Sequence, residues 1–233
     1  MSITIENISK VYGTQKAVNN ISFSIDKKQV VGFIGPNGAG KSTTMKIITG
    51  YLPPTEGKAF VAGLNVQEES EEVRKIIGYL PENNPLYTEM YVREYLEYVL
   101  GLYPGKRKNT LRDIERAVQM TGLGPEQHKK ISALSKGYRQ RVGLAQAIIH
   151  DPEVLILDEP TSGLDPAQII EIRGLISDLG KEKTVLLSTH LMQEVEAICD
   201  RVILISRGEI RADGRPEEIK SSGAVEKITI IVE

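Results

Sequence analysis

The chain has little of what would tie it to a membrane or to an oxidising compartment. Only one of its 233 residues is cysteine, so no intrachain disulfide can form and a reducing compartment fits. No apolar run approaches the roughly 18 residues that a membrane-spanning helix needs. The first residues alternate apolar and polar side chains and lack the regions of a signal peptide. We expect a chain that is soluble by itself and reaches a membrane only through a separate partner.

An excess of either charge is also missing. Lysine and arginine number 29 and aspartate and glutamate 31, which gives a formal net charge of −2. Nucleic-acid-binding domains usually carry a basic surface, so we expect no nucleic-acid partner. The single cysteine, Cys199, lies in an apolar helical pattern, and we interpret it as a small core residue rather than a nucleophile.

One glycine-rich loop carries the strongest functional signal. Residues 35–43 read GPNGAGKST and match the pattern G-x-x-x-x-G-K-[ST]. The apolar run Val30–Ile34 precedes the loop and a helical pattern follows it. In that context backbone N–H groups and the positive end of the helix dipole face bound phosphates. An ordinary glycine-rich turn with a solvated lysine is the alternative, and the flanking strand and helix disfavour it.

The loop therefore predicts ATP and Mg²⁺ as cofactors. We expect Lys41 to reach the β- and γ-phosphates and Ser42 to bind the metal. The expected nucleotide-binding residues of the loop are Gly35, Pro36, Asn37, Gly38, Ala39, Gly40, Lys41, Ser42 and Thr43.

Two acids follow the apolar run Val154–Leu157. A buried strand delivers an aspartate to the metal in enzymes with this phosphate loop, and Asp158 fits that role. Glu159 would point the other way if the strand continued, and we expect it to accept a proton from the water that attacks the γ-phosphate. A strand simply ended by acids before Pro160 is the alternative, and the phosphate loop disfavours it.

Further motifs resemble the ABC ATPase family. Residues Leu134–Tyr138 read LSKGY and resemble its signature motif, usually LSGGQ, while Ser162–Asp165 resembles its D-loop. His190 matches the switch histidine, and Tyr12 lies where the family stacks an aromatic ring on adenine. The resemblance covers essentially the whole chain, with the motifs in the right order and spacing.

The resemblance implies an ATP-hydrolysing subunit of a transporter with separate membrane-spanning permease subunits, on the cytoplasmic face of the membrane. It implies a head-to-tail homodimer or heterodimer in which Ser135 and Gly137 of one chain bind the γ-phosphate held by the other. Ser135 also fits a plain helix N-cap, and both roles stay open. The catalytic residues would be Glu159, His190 and Lys41. Residues Ile77–Asn83 resemble the branch of drug, sodium and gliding-motility exporters, which favours export.

Two positions depart from the family pattern. Glu82 stands where the family has a glutamine whose amide oxygen touches the metal. Glutamate keeps the oxygen and adds a negative charge, so we expect Glu82 to join Asp158 and Ser42 at the metal and to strengthen its binding or slow its release. Lys136 replaces a glycine of the signature motif, and we expect it to point into solvent.

The expected fold class is α/β, with a P-loop NTPase core, a mostly parallel sheet, a small antiparallel β subdomain and a helical insertion. Residues 1–85 and 152–233 are expected to form the core and residues 86–151 the helical signature subdomain. Predicted strands are Ser2–Ile5, Ile21–Ile25, Val30–Ile34, Ala59–Val61, Val154–Leu157, Val185–Ser188 and Val202–Ile205. Predicted helices are Val92–Leu100, Leu111–Met120, Lys136–Ile149, Pro166–Leu179 and Leu191–Ile198. The residues Tyr87, Tyr91, Tyr95 and Tyr98 recur at helical spacing and predict a packed or partner-facing helix surface.

Two other functions stay open at this level. A soluble ABC-type ATPase acting on the ribosome or nucleic acid usually has two cassettes or a long coiled-coil insertion, and neither is seen in this sequence. A regulator with little hydrolysis typically lacks the acid at Glu159. The strand-like residues 227–233 favour continuation into a C-terminal regulatory domain.

Overall fold

The computed structural model describes residues 1–103 and 110–221. Its strands are β1 (Ile3–Tyr12), β2 (Gln15–Ile25), β3 (Val30–Ile34), β4 (Glu56–Val61), β5 (Leu64–Asn65), β6 (Ile77–Leu80), β7 (Val154–Asp158), β8 (Thr184–Thr189), β9 (Arg201–Ser206) and β10 (Glu209–Gly214). Its helices are α1 (Lys41–Ile48), α2 (Ser70–Ile76), α3 (Val92–Gly101), α4 (Thr110–Met120), α5 (Lys136–Ile148), α6 (Pro166–Gly180), α7 (Met192–Ile198) and α8 (Pro216–Ser221). The strand predicted for residues 227–233 lies outside the described residues.

A small antiparallel sheet forms near the amino terminus. Its strand order is β2-β1-β4-β5, and every neighbouring pair is antiparallel. The hairpin between β1 and β2 closes at Gly13, whose φ of 57° suits glycine because it has no Cβ. Apolar residues of these strands, among them Ile3 and Ile25, are fully buried beside α1. The predicted antiparallel β subdomain is therefore present.

The larger sheet is mostly parallel. Its order is β10-β9-β3-β8-β7-β6, and only the edge strand β10 runs antiparallel to its neighbour. Every residue of β3, β7 and β8 is buried, as expected for strands with helices on both faces. Pairing of Ile34 with Thr189 and of Asp158 with Ser188 brings the carboxyl ends of these three strands to one edge. That edge carries the loops with the predicted site residues.

The middle of the chain is a helical cluster. Helices α3, α4 and α5 pack on one another through Leu96, Ile114 and Val142, all at most 2% exposed. Helix α5 also lies against β6, where a Cβ on Gly78 would overlap the carbonyl group of Ala147. The cluster is thus joined closely to the parallel sheet.

Some predicted bounds were wrong. Strand β1 continues to Tyr12, far beyond Ile5, because its register shifts between Ile5 and Ile8 let the polar residues there face outward. Helix α3 begins at Val92 as predicted, and the Glu94 side chain accepts a hydrogen bond from the Tyr91 N–H at 3.1 Å and caps the helix. Of the four tyrosines predicted on one helix surface, the two with the lowest numbers therefore precede the helix.

Among the described residues, no helix is both long and apolar enough to cross a membrane.

Candidate functional site

The glycine-rich loop has a backbone that only glycine allows at its end. Gly40 has φ of 110° and a Cβ there would lie 2.5 Å from the carbonyl oxygen of Ala17. Helix α1 begins at the next residue, Lys41, so its unpaired amino-terminal N–H groups open onto the loop. This is the local geometry that binds an anion.

Lys41 is held inside the site rather than in solvent. Its side chain is 6% exposed, and its ammonium group donates to the carbonyl oxygens of Gly35 at 2.7 Å and Pro36 at 3.3 Å. The same Nζ atom lies 3.5 Å from Oε1 of Glu159. The ammonium group is therefore surrounded by oxygen atoms, and phosphate oxygens are partners of the same kind.

Asp158 ends β7 and is oriented by the neighbouring strand. It is 1% exposed, and the Ser188 hydroxyl donates to its Oδ1 atom at 2.5 Å. The same hydroxyl accepts the N–H of Glu159 at 2.9 Å. Ser188 was missed in the sequence, although its position opposite Asp158 follows once the register of β7 and β8 is known.

The three residues predicted to bind a metal line one cavity. Ser42, Glu82 and Asp158 share the walls of a space of about 550 Å³. Two carboxylates and a hydroxyl suit Mg²⁺, which keeps waters and takes phosphate oxygens as its other ligands. Within the described residues no three His, Cys, Asp or Glu side chains converge as a metal cluster.

Tyr79 also lines that cavity. Its hydroxyl oxygen is buried and makes no hydrogen bond within the described residues. Burial and the nearby charges of Asp158 and Glu82 raise the pKa of Tyr79 well above its usual value. The phenol therefore stays neutral beside the two carboxylates.

Glu159 does not continue the strand. Its φ of 49° turns the chain out of β7, so the idea of a side chain on the opposite face of an unbroken strand does not hold. Its Oε2 atom lies 3.0 Å from Nδ1 of His190. Burial raises the pKa of Glu159, while the charges of Lys41 and His190 oppose that rise. The structure thus brings three predicted catalytic residues into contact.

The predicted signature residues lie elsewhere. Ser135 is the N-cap of α5, and its exposed hydroxyl accepts the N–H of Tyr138 at 3.3 Å. Gly137 is buried, and a Cβ there would lie 2.5 Å from Cδ of Gln168 in α6. Lys136 is exposed, and its amine extends over Gly163. None of the three residues at 135–137 lines the cavity that holds Asp158.

Tyr12 ends β1 with an accessible ring. Its side chain is 48% exposed, and Nζ of Lys10 lies 5.4 Å from the ring centroid. The ring is free to stack on a planar group. It does not line the cavity at Asp158.

A groove rich in tyrosine lies beside α3. Tyr87 packs edge-on against Tyr95 and Tyr98, with ring centroids 6.0 and 5.5 Å apart. The groove encloses about 550 Å³. Near it, the side-chain amide of Asn84 donates to the carbonyl oxygen of Arg139 in α5 at 3.2 Å, which links the loop after Glu82 to that helix.

His150 and Cys199 lie outside the site and pack against neighbouring residues. His150 is buried, stacks on Tyr103 with centroids 3.9 Å apart and lies 3.0 Å from the Ile77 carbonyl oxygen. Cys199 follows α7 and packs against Gly32, and burial raises the pKa of its thiol to about 12. A neutral thiol is a poor nucleophile.

Comparisons with known proteins agree with this geometry. The family model described as ABC transporter matches residues 18–162. The Bacillus subtilis ABC transporter ATP-binding protein YxlF is 36% identical over 230 residues, which cover 99% of this chain and 76% of that protein. The probable multidrug ABC transporter ATP-binding protein YbhF of Escherichia coli is 35% identical over 95% of this chain and 38% of its own length.

A solved structure is also similar. It is the dimeric post-hydrolysis state of an ATP-binding cassette bound to ADP and Pi, with 26% identity and a TM-score of 0.81 over 92% of this chain and 98% of that one. The mixed α/β fold with its parallel and antiparallel sheets matches such cassettes. Because the family model covers more than half of the chain, this chain belongs to the ABC transporter family as an ATP-binding subunit of the ATPase class.

Proposed function

We propose that the chain hydrolyses ATP in a head-to-tail dimer and so powers export by a membrane-spanning permease. The observation that carries the proposal is the convergence of Lys41, Glu159 and His190 beside Asp158, at one edge of the parallel sheet.

Phosphate binding is assigned to the loop and α1. The ammonium group of Lys41 exchanges the carbonyl oxygens of Gly35 and Pro36 for phosphate oxygens, which bear more charge. Backbone N–H groups of residues 35–43 bind the remaining phosphate oxygens at the amino end of α1. Tyr12 stacks on the adenine ring.

Mg²⁺ is assigned to Ser42, Asp158 and Glu82, which share one cavity. When bound there, it neutralises phosphate charge as that charge develops on the leaving group. Ser188 keeps Asp158 pointed into the cavity through the 2.5 Å hydrogen bond. Glu82 places a second carboxylate where most relatives of this kind carry an amide, as the sequence resemblance implies.

Proton transfer is assigned to Glu159. Its carboxylate accepts a proton from the attacking water, and its raised pKa makes it a better base than an exposed glutamate. The Nδ1 atom of His190 holds Oε2 of Glu159 at 3.0 Å, and the other ring nitrogen is left to contact the γ-phosphate.

The second half of the site is assigned to a second chain. Ser135 lies exposed at the amino end of α5, away from the cavity at Asp158. A head-to-tail dimer would set Ser135 and Gly137 against the γ-phosphate bound by Lys41 of the other chain. The dimeric cassette with ADP and Pi supports this arrangement.

Coupling to a permease is assigned to the tyrosine groove. Tyr87 and Tyr98 are exposed there, and their rings offer apolar faces and polar hydroxyls to a short amphipathic segment. The chain would thus act as a peripheral protein on the cytoplasmic face of the membrane. Export is supported by the similarity to a probable multidrug transporter subunit.

The test compares ATP turnover of the chain with that of Glu159→Gln. The amide is isosteric but cannot accept the proton, so kcat should fall by at least roughly a hundredfold, while ATP binding should persist because Lys41 is retained. Glu182→Gln, an exposed glutamate before β8, is the matched control and should keep full turnover. A Glu159→Gln variant with more than half of the original kcat would contradict the proposal.

A further inference from the structure

One buried carboxylate has no part in the mechanism above. Glu194 lies in the first turn of α7 and is 2% exposed. Thr161 donates a short hydrogen bond to its Oε1 atom, and Thr189 donates to Oε2 at 2.6 Å. The guanidinium group of Arg173 lies 3.8 Å from Oε1. Both carboxylate oxygens are therefore partnered inside the protein, as a buried charge requires.

The partners of Glu194 come from the segments that carry Glu159 and His190. Thr161 follows Glu159 by two residues, and Thr189 directly precedes His190. One carboxylate therefore bridges the loop that leaves β7 and the loop that leaves β8. Its ion pair with Arg173 extends the bridge to α6.

Neither Glu159 nor His190 is placed by a strand alone. Glu159 lies beyond the last residue of β7 with φ of 49°, and His190 follows the last residue of β8. The 3.0 Å contact between the two side chains thus depends on two short loops keeping their separation. Thr189 is fixed twice, since its hydroxyl also accepts the N–H of Leu191 at 3.1 Å.

We propose that Glu194 is a positioning residue for ATP hydrolysis, which holds the loops of Glu159 and His190 together through Thr161 and Thr189. Among the described residues, its hydrogen bonds and ion pair go to Thr161, Thr189 and Arg173 and not to residues assigned to phosphate or metal. Its effect passes through the pair of Glu159 and His190. The inference rests on the roles given to that pair in the proposed function. If this position served packing alone, an apolar side chain would fill the space without burying a charge. The carboxylate instead binds one hydroxyl from each loop, and this arrangement favours a positioning role.

The first experiment compares Glu194→Gln with Glu196→Gln in the full chain. Glutamine keeps the shape but sets an N–H₂ group against one threonine hydroxyl. Glu196 lies on the same helix and pairs at the surface with Lys220 at 2.8 Å, which makes it a matched control. For Glu194→Gln we expect kcat to fall by roughly tenfold to a hundredfold, with the Kd for ATP changed less than about twofold. Glu196→Gln should retain the original kcat.

The second readout is the ¹⁵N NMR spectrum of the His190 ring. The original chain should show one fixed tautomer, set by the contact of Nδ1 with Glu159. Glu194→Gln should show averaged tautomers, and Glu196→Gln should not. A role confined to stability would lower the unfolding temperature and leave this spectrum unchanged below it.

A second pair of variants serves if Glu194→Gln fails to fold. Thr161→Ser keeps the hydroxyl, and Thr161→Val keeps the shape without it. The valine variant should lose kcat and the fixed tautomer, and the serine variant should keep both.

The outcomes separate this inference from the proposed function. Equal kcat and equal His190 spectra in Glu194→Gln and Glu196→Gln overturn the inference, even where Glu159→Gln is inactive. A loss of kcat with an unchanged His190 spectrum also overturns it. Full turnover in Glu159→Gln instead contradicts the role of Glu159 in the proposed function.

Discussion

The phosphate loop and the start of α5 are both proposed to bind a phosphate, yet they differ in how far their groups are already held in place within one chain. At the loop, Lys41 is 6% exposed and already contacts Glu159 and two carbonyl oxygens. At α5, Ser135 and Lys136 are exposed at the start of the first turn. The first region is organised within one chain, whereas the second presents its groups outward. We therefore expect substitutions in the loop to impair ATP binding by a single chain, and substitutions at the start of α5 to impair only the activity of the dimer.

The largest expected effect is at the loop. Lys41→Ala removes the only ammonium group described within ion-pair distance of Glu159. We expect ATP turnover to fall by roughly a thousandfold or more and ATP binding to weaken, because the phosphates lose a charge-assisted partner. Turnover and ATP binding by calorimetry are the measurements.

Lys46→Ala is the control for that prediction. Lys46 lies on the same helix and lines the cavity without an ion pair to Glu159. Comparable losses of turnover in the two variants would show that any positive charge on α1 supports activity. The specific role of Lys41, and with it the contrast between the loop and α5, would then be wrong.

The second effect is at α5 and tests whether that region serves another chain. Ser135→Asp keeps a good N-cap but places a negative charge where the partner chain's γ-phosphate is expected. We expect turnover to fall about a hundredfold and ATP-dependent dimerisation to be lost, with ATP binding by the monomer unchanged. Sedimentation with and without ATP measures the dimer.

Ser135→Asn is the neutral cap that serves as its control and should keep most activity. Mixing Ser135→Asp with Lys41→Ala gives a stronger test, since a mixed dimer has one intact site. Equal mixing should restore about a quarter of the original turnover. No recovery on mixing would place both residues in a site within one chain.

A smaller effect is expected at Tyr12, which belongs to neither region. Tyr12→Ala removes the exposed ring, and we expect ATP affinity to fall by up to about tenfold. Tyr12→Phe keeps the stacking face and should bind ATP normally. Equal loss in both variants would assign the effect to the hydroxyl group rather than to stacking.

The metal edge gives a still smaller effect. Glu82→Gln removes one of two carboxylates beside the cavity, so the Mg²⁺ concentration for half-maximal turnover should rise a few-fold. The measurement is a Mg²⁺ titration at saturating ATP. An unchanged titration curve would show that Glu82 does not face the metal.

The smallest effect is a shift in the pH dependence of kcat. A base must be deprotonated, so kcat should fall as pH decreases through the pKa of Glu159. Burial raises that pKa, so the fall should begin at higher pH than for an exposed glutamate. Ser135→Asn should leave this pH dependence unchanged, because within the described residues no hydrogen bond or ion pair joins Ser135 to Glu159. If the pH at which kcat falls changed in Ser135→Asn, the two regions would be electrostatically coupled.

The sequence predicted the residues that converge but not how each is held. The loop at 35–43 and Asp158 were found because their motifs are local. The turn at Glu159 was missed, since it depends on a hydrogen bond from its N–H to Ser188 on a neighbouring strand. The position of Tyr87 and Tyr91 before α3 was missed because the helical spacing of the tyrosines continues across the capped start of the helix.

The contacts of Glu194 with Thr161, Thr189 and Arg173 could not have been predicted in the same way. Its three partners lie up to 33 residues from it in the chain, and Thr161 and Thr189 meet it only when β7 and β8 pair. A buried acid in a helical pattern gives no sign of such contacts. The sequence therefore specified the parts that contact ligand more clearly than the parts that position them.

The hydrogen bond from Asn84 to the carbonyl oxygen of Arg139 gives the protein a mechanical property. Gly143 lies one turn further along α5, where a Cβ would lie 2.0 Å from Nδ2 of Asn84 and 2.6 Å from Cδ1 of Leu80. A force applied to the loop after Glu82 would thus reach the first turn of α5, which begins directly after Ser135. Arg139 lies four residues after Ser135, about 6 Å along the helix axis. A movement at either contact would therefore be transmitted to the other through a single helical turn.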